Sequence, residues 1–147
     1  MVDNCKWAIQ NRSEISYGNV RPIPVDLPAY SLPFTTDCSG FVTLMAKWSG
    51  NPDPNGNKFD GQGYTGTMMK HLTNISFGTT RRGDLAVFGE YPGLHVVVLL
   101  AGGSDHADPP VASQGGPGDP QRYSLSQQKA FFGPNCPVTY LRLRPNR

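Results

Sequence analysis

The chain reads as an α+β domain, helices packed on one face of an antiparallel sheet, and three observations carry that reading. Helical apolar spacing dominates the first half. After Arg81-Arg82-Gly83 the pattern changes to short apolar runs bounded by glycine and proline. The length, 147 residues, is enough for one core and too short for two. Seventeen glycines and fourteen prolines add that much of the chain is loop.

Each element follows in order. Cys5, Ala8, Ile9, Arg12 and Ile15 recur at near-helical spacing, so an amphipathic helix is expected over residues 3 to 16, with Asp3 or Asn4 at its N-cap. Residues 18 to 36 hold four prolines and no sustained period, which suits an ordered connector on the surface. A helix should run from Cys38 to Trp48 on Phe41, Leu44, Met45 and Trp48, stopped by Gly50 and Pro52. Residues 51 to 62 form a turn-rich surface loop. Thr65 caps a short helix through Met68, Met69 and Leu72, which are core residues, with His71 exposed beside them. Strands are expected over Asp84 to Phe88, His95 to Ala101, Val111 to Ser113 and Val138 to Arg144, with a short helix from Ser124 to Phe132 before the last. Trp7 and Trp48 read as packing anchors, and Cys5 and Cys136 as structural residues.

Composition excludes several functions. A formal charge of +2, with basic residues scattered apart from Arg81-Arg82 and the tail Arg142, Arg144 and Arg147, argues against nucleic acid. No apolar run is long enough to cross a bilayer, and residues 1 to 20 lack the charged start and apolar block of a signal peptide, so a soluble cytoplasmic protein is expected. Three cysteines and three histidines show no zinc-knuckle spacing, and the glycine-rich stretches lack a phosphate-cradle context. Neither a metal nor another cofactor is expected.

Two residues stand out chemically. Cys38 would open its helix, where free N–H groups and the helix dipole favour a thiolate, with small neighbours Ser39 and Gly40 leaving room for a substrate backbone. The alternative is a buried helix cysteine. His95 precedes Val96-Val97-Val98-Leu99-Leu100 and so stands at the entrance of a buried strand, as a catalytic base or as a hydrogen-bonded histidine without chemistry.

The helix opening Asp-Cys-Ser-Gly-Phe at 37–41, the strand Arg-Gly-Asp-Leu-Ala-Val-Phe at 82–88 and the strand His-Val-Val-Val at 95–98 resemble, in order and separation, the NlpC-type family of papain-like cell-wall cysteine peptidases. The likeness covers roughly residues 35 to 115, and the stretch from Trp48 to Thr67 is similar to the N-terminal peptidase domain of endolysins from mycobacterial phages. The resemblance implies a papain-like fold with Cys38 as nucleophile and His95 as base. The third position is a polar residue on the next strand, where this chain has Ser113 and Gln114 in place of the more usual histidine. Gln114 is preferred, because its carbonyl can orient an imidazole N–H, with His106 and Asp105 as fallbacks and an ordinary polar loop residue as the alternative. The resemblance also gives Asp37 and Ser39 the free amino end of a stem peptide to hold, although Asp37 is equally an N-cap, and it turns Tyr17 toward the cleft, although a core tyrosine is the alternative. The oxyanion would meet the Cys38 N–H and one further donor.

The implied activity is hydrolysis of bacterial peptidoglycan by a monomer, between D-glutamate or D-isoglutamine and meso-diaminopimelate. A D-alanyl-diaminopimelate crosslink, the amide to muramic acid, acyl transfer and a non-catalytic wall-binding domain stay open. A phage lysin held in the host cytoplasm until a holin opens the membrane is the expected setting, either whole or as the N-terminal part of a longer lysin.

Overall fold

A computed structural model describes residues 1–143. The Arg144 end of the last expected strand, and Arg147 of the basic tail, lie outside them. The first helix, α1, spans Val2–Gln10 with Met1 at its N-cap. It is shorter than expected, because the chain passes through a 3-10 turn at Arg12–Glu14 and Ile15 begins a strand. That strand, β1 (Ile15–Tyr17), pairs in parallel with β2 (Phe34–Thr36), so the proline-rich connector is a closed excursion between two paired strands. Next, α2 spans Cys38–Trp48 and α3 spans Thr65–His71, with Tyr64 at its N-cap.

The remaining strands form one antiparallel sheet: β3 (Thr73–Ile75), β4 (Leu85–Phe88), β5 (His95–Leu99), β6 (Pro110–Ser113), β7 (Gln121–Ser124) and β8 (Val138–Arg142), in the order β3-β8-β4-β5-β6-β7. The short edge strands β3 and β7 carry no long apolar run, and the sequence pattern did not mark them. The last helix, α4, spans Leu125–Phe132 under a capping box made by Ser124 and Gln127.

Every residue of β4 and β5 is buried, so both faces of the sheet are covered. On one face Leu85, Val87, Val96 and Val98 meet Cys5 and Ala8 of α1 and Phe41, Leu44 and Met45 of α2. On the other, Ala86, Phe88, Val97 and Leu99 meet Leu125 and Phe132 of α4. The expected one-sided packing is thereby corrected. Near-continuous apolar runs such as Val-Val-Val-Leu signal a strand buried on both faces. The two tryptophans are packing anchors: Trp7, Tyr30, Phe34 and Trp48 form one aromatic cluster of edge-on and tilted pairs with centroids 5.1 to 5.8 Å apart.

The 51–62 loop is more than surface. Asp53 is buried and accepts from the N–H groups of Asn55, Asn57 and Phe59 at 2.9, 3.1 and 2.9 Å. Buried Asn55 then ties α2 to α3 through Thr43 Oγ1 (3.0 Å) and Thr67 Oγ1 (2.7 Å). Among the described residues no helix is long and apolar enough to cross a membrane.

Candidate functional site

The first turn of α2 collects most of the residues singled out in the sequence. Asp37 Oδ1 accepts from the Gly40 N–H at 2.8 Å and caps the helix. Gly40 is required for this cap, since a Cβ there would stand 2.9 Å from Asp37 Oδ1 and 3.3 Å from the Thr36 Cβ. Its small size serves the protein's own packing.

Arg21, from the proline-rich excursion, donates through Nη2 to Asp37 Oδ2 and to Ser39 Oγ, both at 3.1 Å, and through Nε to the Gly63 carbonyl at 3.1 Å. The two side chains expected to hold a substrate amine are thus already occupied by a guanidinium. Nothing in the sequence pattern set Arg21 apart, because 16 residues separate it from Asp37.

Cys38 is half-buried at this corner. Burial pushes its thiol above the ordinary value and the Asp37 carboxylate adds to that shift, while the N–H groups of Val96, Ser39 and Cys38 itself pull the other way. Desolvation wins. The expectation of a resting thiolate is therefore corrected to a neutral thiol. Tyr17 faces the same corner: its ring is 44% exposed, so it is no core tyrosine, and burial together with Cys38 and Asp37 raises its pKa. The pairing of Tyr17 with Thr36 across β1 and β2 puts it there.

His95 lies on the far side of the strand. It faces Phe88 in register and stacks on Phe88 and Phe132, with centroids at 6.3 and 5.6 Å, under α4. No hydrogen bond joins it to Cys38. The thiol reaches β5 at the Val96 N–H, the peptide group that links His95 to Val96. The His95 ring is 7% exposed, and burial lowers its pKa to about 4 against the opposing pull of the Asp119 carboxylate and a Gln128 hydrogen bond.

The partner of His95 is Ser113, whose Oγ lies 2.8 Å from Nε2. Gln114 does not orient the imidazole. Side chains alternate across a strand, and His95 occupies the Ser113 face. Gln114 points to the α2 face, where it is buried and donates to the carbonyls of Ser16 (3.1 Å) and Thr36 (3.2 Å), clamping β1 and β2 to the end of β6. Among the described residues its Oε1 has no hydrogen-bond partner. His106 and Asp105 sit in an exposed loop, without a hydrogen bond to His95.

Ser113 Oγ in turn donates a long hydrogen bond, 3.5 Å, to Gln128 Oε1. With its proton directed there, Ser113 offers a lone pair to Nε2, an arrangement that pairs with the Nε2–H tautomer and a basic Nδ1. Gln128 had a sequence signal, since it shares a helical face with Leu125 and Phe132. A polar residue on an apolar stripe marks a buried contact.

Beside His95 opens a cavity of about 220 Å³ lined by Ser113, Asp119, Tyr123, Gln128, Phe131 and Phe132, among others. Among the described residues no cluster of metal-ligating side chains is gathered. No protein-family model matches the chain, and no curated protein is significantly similar to it.

Proposed function

We propose that the chain is a papain-like thiol hydrolase of bacterial peptidoglycan that cuts a stem-peptide bond, the one between D-glutamate or D-isoglutamine and meso-diaminopimelate. The observation that carries the reading is the place of Cys38, half-buried as the first residue of α2, where the N–H groups of Val96, Ser39 and Cys38 itself lower the pKa of its thiol against the effect of burial. Such donors stabilise negative charge on the sulfur or on an oxyanion formed beside it. The three-block resemblance supplies the substrate class.

In this reaction the Cys38 proton passes to His95 Nδ1 as sulfur attacks the scissile carbonyl carbon. The tetrahedral oxyanion collapses to a thioester, and the departing amine takes the proton from His95. Water, deprotonated by His95, then attacks the thioester and releases the carboxylate and the thiol. Both groups start neutral, because burial raises the thiol pKa and lowers that of the imidazole. Because His95 and Cys38 lie on opposite sides of β5, the step requires the imidazole to leave its stack on Phe88 and Phe132 and turn toward the sulfur when substrate is bound.

A second reading rests on the 2.8 Å contact of Ser113 with His95 and the nearby Asp119 carboxylate, the makings of a serine hydrolase. Against it, Ser113 is 2% exposed on a strand, and the nearby Gly115 N–H is already given to Asp119. Purified diaminopimelate-type walls, with fragments read by mass spectrometry, separate the two. Cys38→Ala should abolish release of fragments with new amino termini, whereas a serine hydrolase would lose activity only in Ser113→Ala. A new amino terminus on L-alanine would refute stem-peptide cleavage and indicate the muramyl amide, and fragments with no new amino terminus would refute amide hydrolysis altogether.

A further inference from the structure

Asp119 is buried, at 7% exposure, on the wall of the cavity beside His95. Its Oδ2 accepts from the Gly115 N–H at 2.9 Å and its Oδ1 from the Tyr123 hydroxyl at 2.6 Å, so the carboxylate is held in place by two neutral donors. Among the described residues no lysine, arginine or histidine forms an ion pair with it; the ion pairs present are Arg21 with Asp37, Arg82 with Asp3 and Arg142 with Asp84. His95 shares the cavity with it and is kept neutral by burial. An oriented carboxylate without a counterion, removed from water, is matched by a cation.

The remaining walls suit one kind of cation. Tyr123, Phe131 and Phe132 present aromatic surface, and Phe131, 82% exposed, meets Phe132 edge-on with centroids 5.1 Å apart. Aromatic faces attract ammonium groups and cover the methylenes that carry them. About 220 Å³ accommodates an aminoalkyl side chain rather than a whole muropeptide. The other candidate carboxylate, Asp37, is already paired with Arg21.

We infer that this cavity is a subsite for a primary-ammonium side chain, diaminopimelyl or lysyl, with Asp119 as counterion and Tyr123, Phe131 and Phe132 as its cage. The inference rests on the stem-peptide reading for the identity of the polymer, not for the ammonium chemistry.

The test is binding without turnover. Amide shifts of Gly115 and Gly116 in the labelled wild-type protein are followed on titration with Nα-acetyl-lysine amide, with its Nε-acetylated counterpart, and with meso-diaminopimelic acid. Saturable shifts are expected with both ammonium probes, and at least tenfold weaker binding with the acetylated one. Tighter binding of diaminopimelic acid identifies that side chain as the source, and tighter binding of the lysine amide identifies lysine. Asp119→Asn should cost tenfold or more in affinity. Phe131→Ala, which removes an exposed ring, should cost a few-fold without touching the fold. Equal binding of the acetylated probe, or unchanged binding by a folded Asp119→Asn protein, overturns the inference. A protein that binds the ammonium probes but leaves peptidoglycan intact refutes the peptidase reading alone. Equal cutting of walls with free and with N-acetylated side-chain amines refutes the ammonium subsite alone.

Discussion

Lowering the pH from 7 to about 4.5 should cost the folded protein about 2.5 kcal/mol through His95. The folded pKa is about 4 and the ordinary value is 6.5. A base whose pKa is depressed by folding takes up its proton more readily in the unfolded chain, so acid favours unfolding. The stability is fully present above about pH 6.5, falls as pH drops below it, and levels out below about pH 4, where the whole difference of about 3.4 kcal/mol has been lost. The ring is 7% exposed, so solvent screening removes little of this. For a chain of this length the loss at pH 4.5 corresponds to a fall of about 5 to 10 °C in Tm. Urea unfolding of the wild type and of His95→Gln, at both pH values, isolates the effect, because glutamine keeps a donor for Ser113 but does not titrate. The wild type should lose about 2.5 kcal/mol more than the variant on acidification. Parallel losses would refute the argument, as would an imidazole NMR titration centred near pH 6.5.

Three further outcomes follow from the site. Ser113→Ala should lower kcat of wall hydrolysis by about tenfold to a hundredfold with little change in KM, because the Nε2–H tautomer of His95 loses its acceptor; an unchanged kcat would remove Ser113 from the mechanism. Gln114→Leu should act on stability instead, by about 1 to 3 kcal/mol in urea, since it removes the buried donor that the carbonyls of Ser16 and Thr36 share and that ties β1 and β2 to β6; a variant as stable as wild type but slow in hydrolysis would restore Gln114 as the orienting residue. Arg21→Gln leaves the Asp37 carboxylate without its counterion beside the thiol, so alkylation of Cys38 by iodoacetamide should slow at fixed pH. Faster alkylation would show that Arg21 acts by blocking access.

Much of the fold was legible because local rules govern it. The helix at Cys38–Trp48 kept its expected bounds, since Asp37 caps it and Gly50 stands just beyond its end. The apolar runs of β4 and β5 marked the central strands. The pairs β1 with β2 and β6 with β7 escaped notice because three or four residues at a sheet edge carry too little pattern, and their partners lie far apart in sequence or across a glycine-rich turn. At the site, the gathering of Tyr17, Asp37, Ser39 and Cys38 accords with the residues chosen from sequence.

By itself the sequence determined the α+β class, the cysteine at a helix start and the histidine at a strand entrance, because capping residues and apolar periods act over a few neighbours. Tertiary structure alone decided that Ser113 rather than Gln114 meets His95, since a single residue of strand register selects the face of the sheet. It also decided that Arg21 covers Asp37 and that Cys38 rests as a thiol. Those depend on desolvation and on charges brought together from distant parts of the chain, quantities that no short stretch of sequence contains.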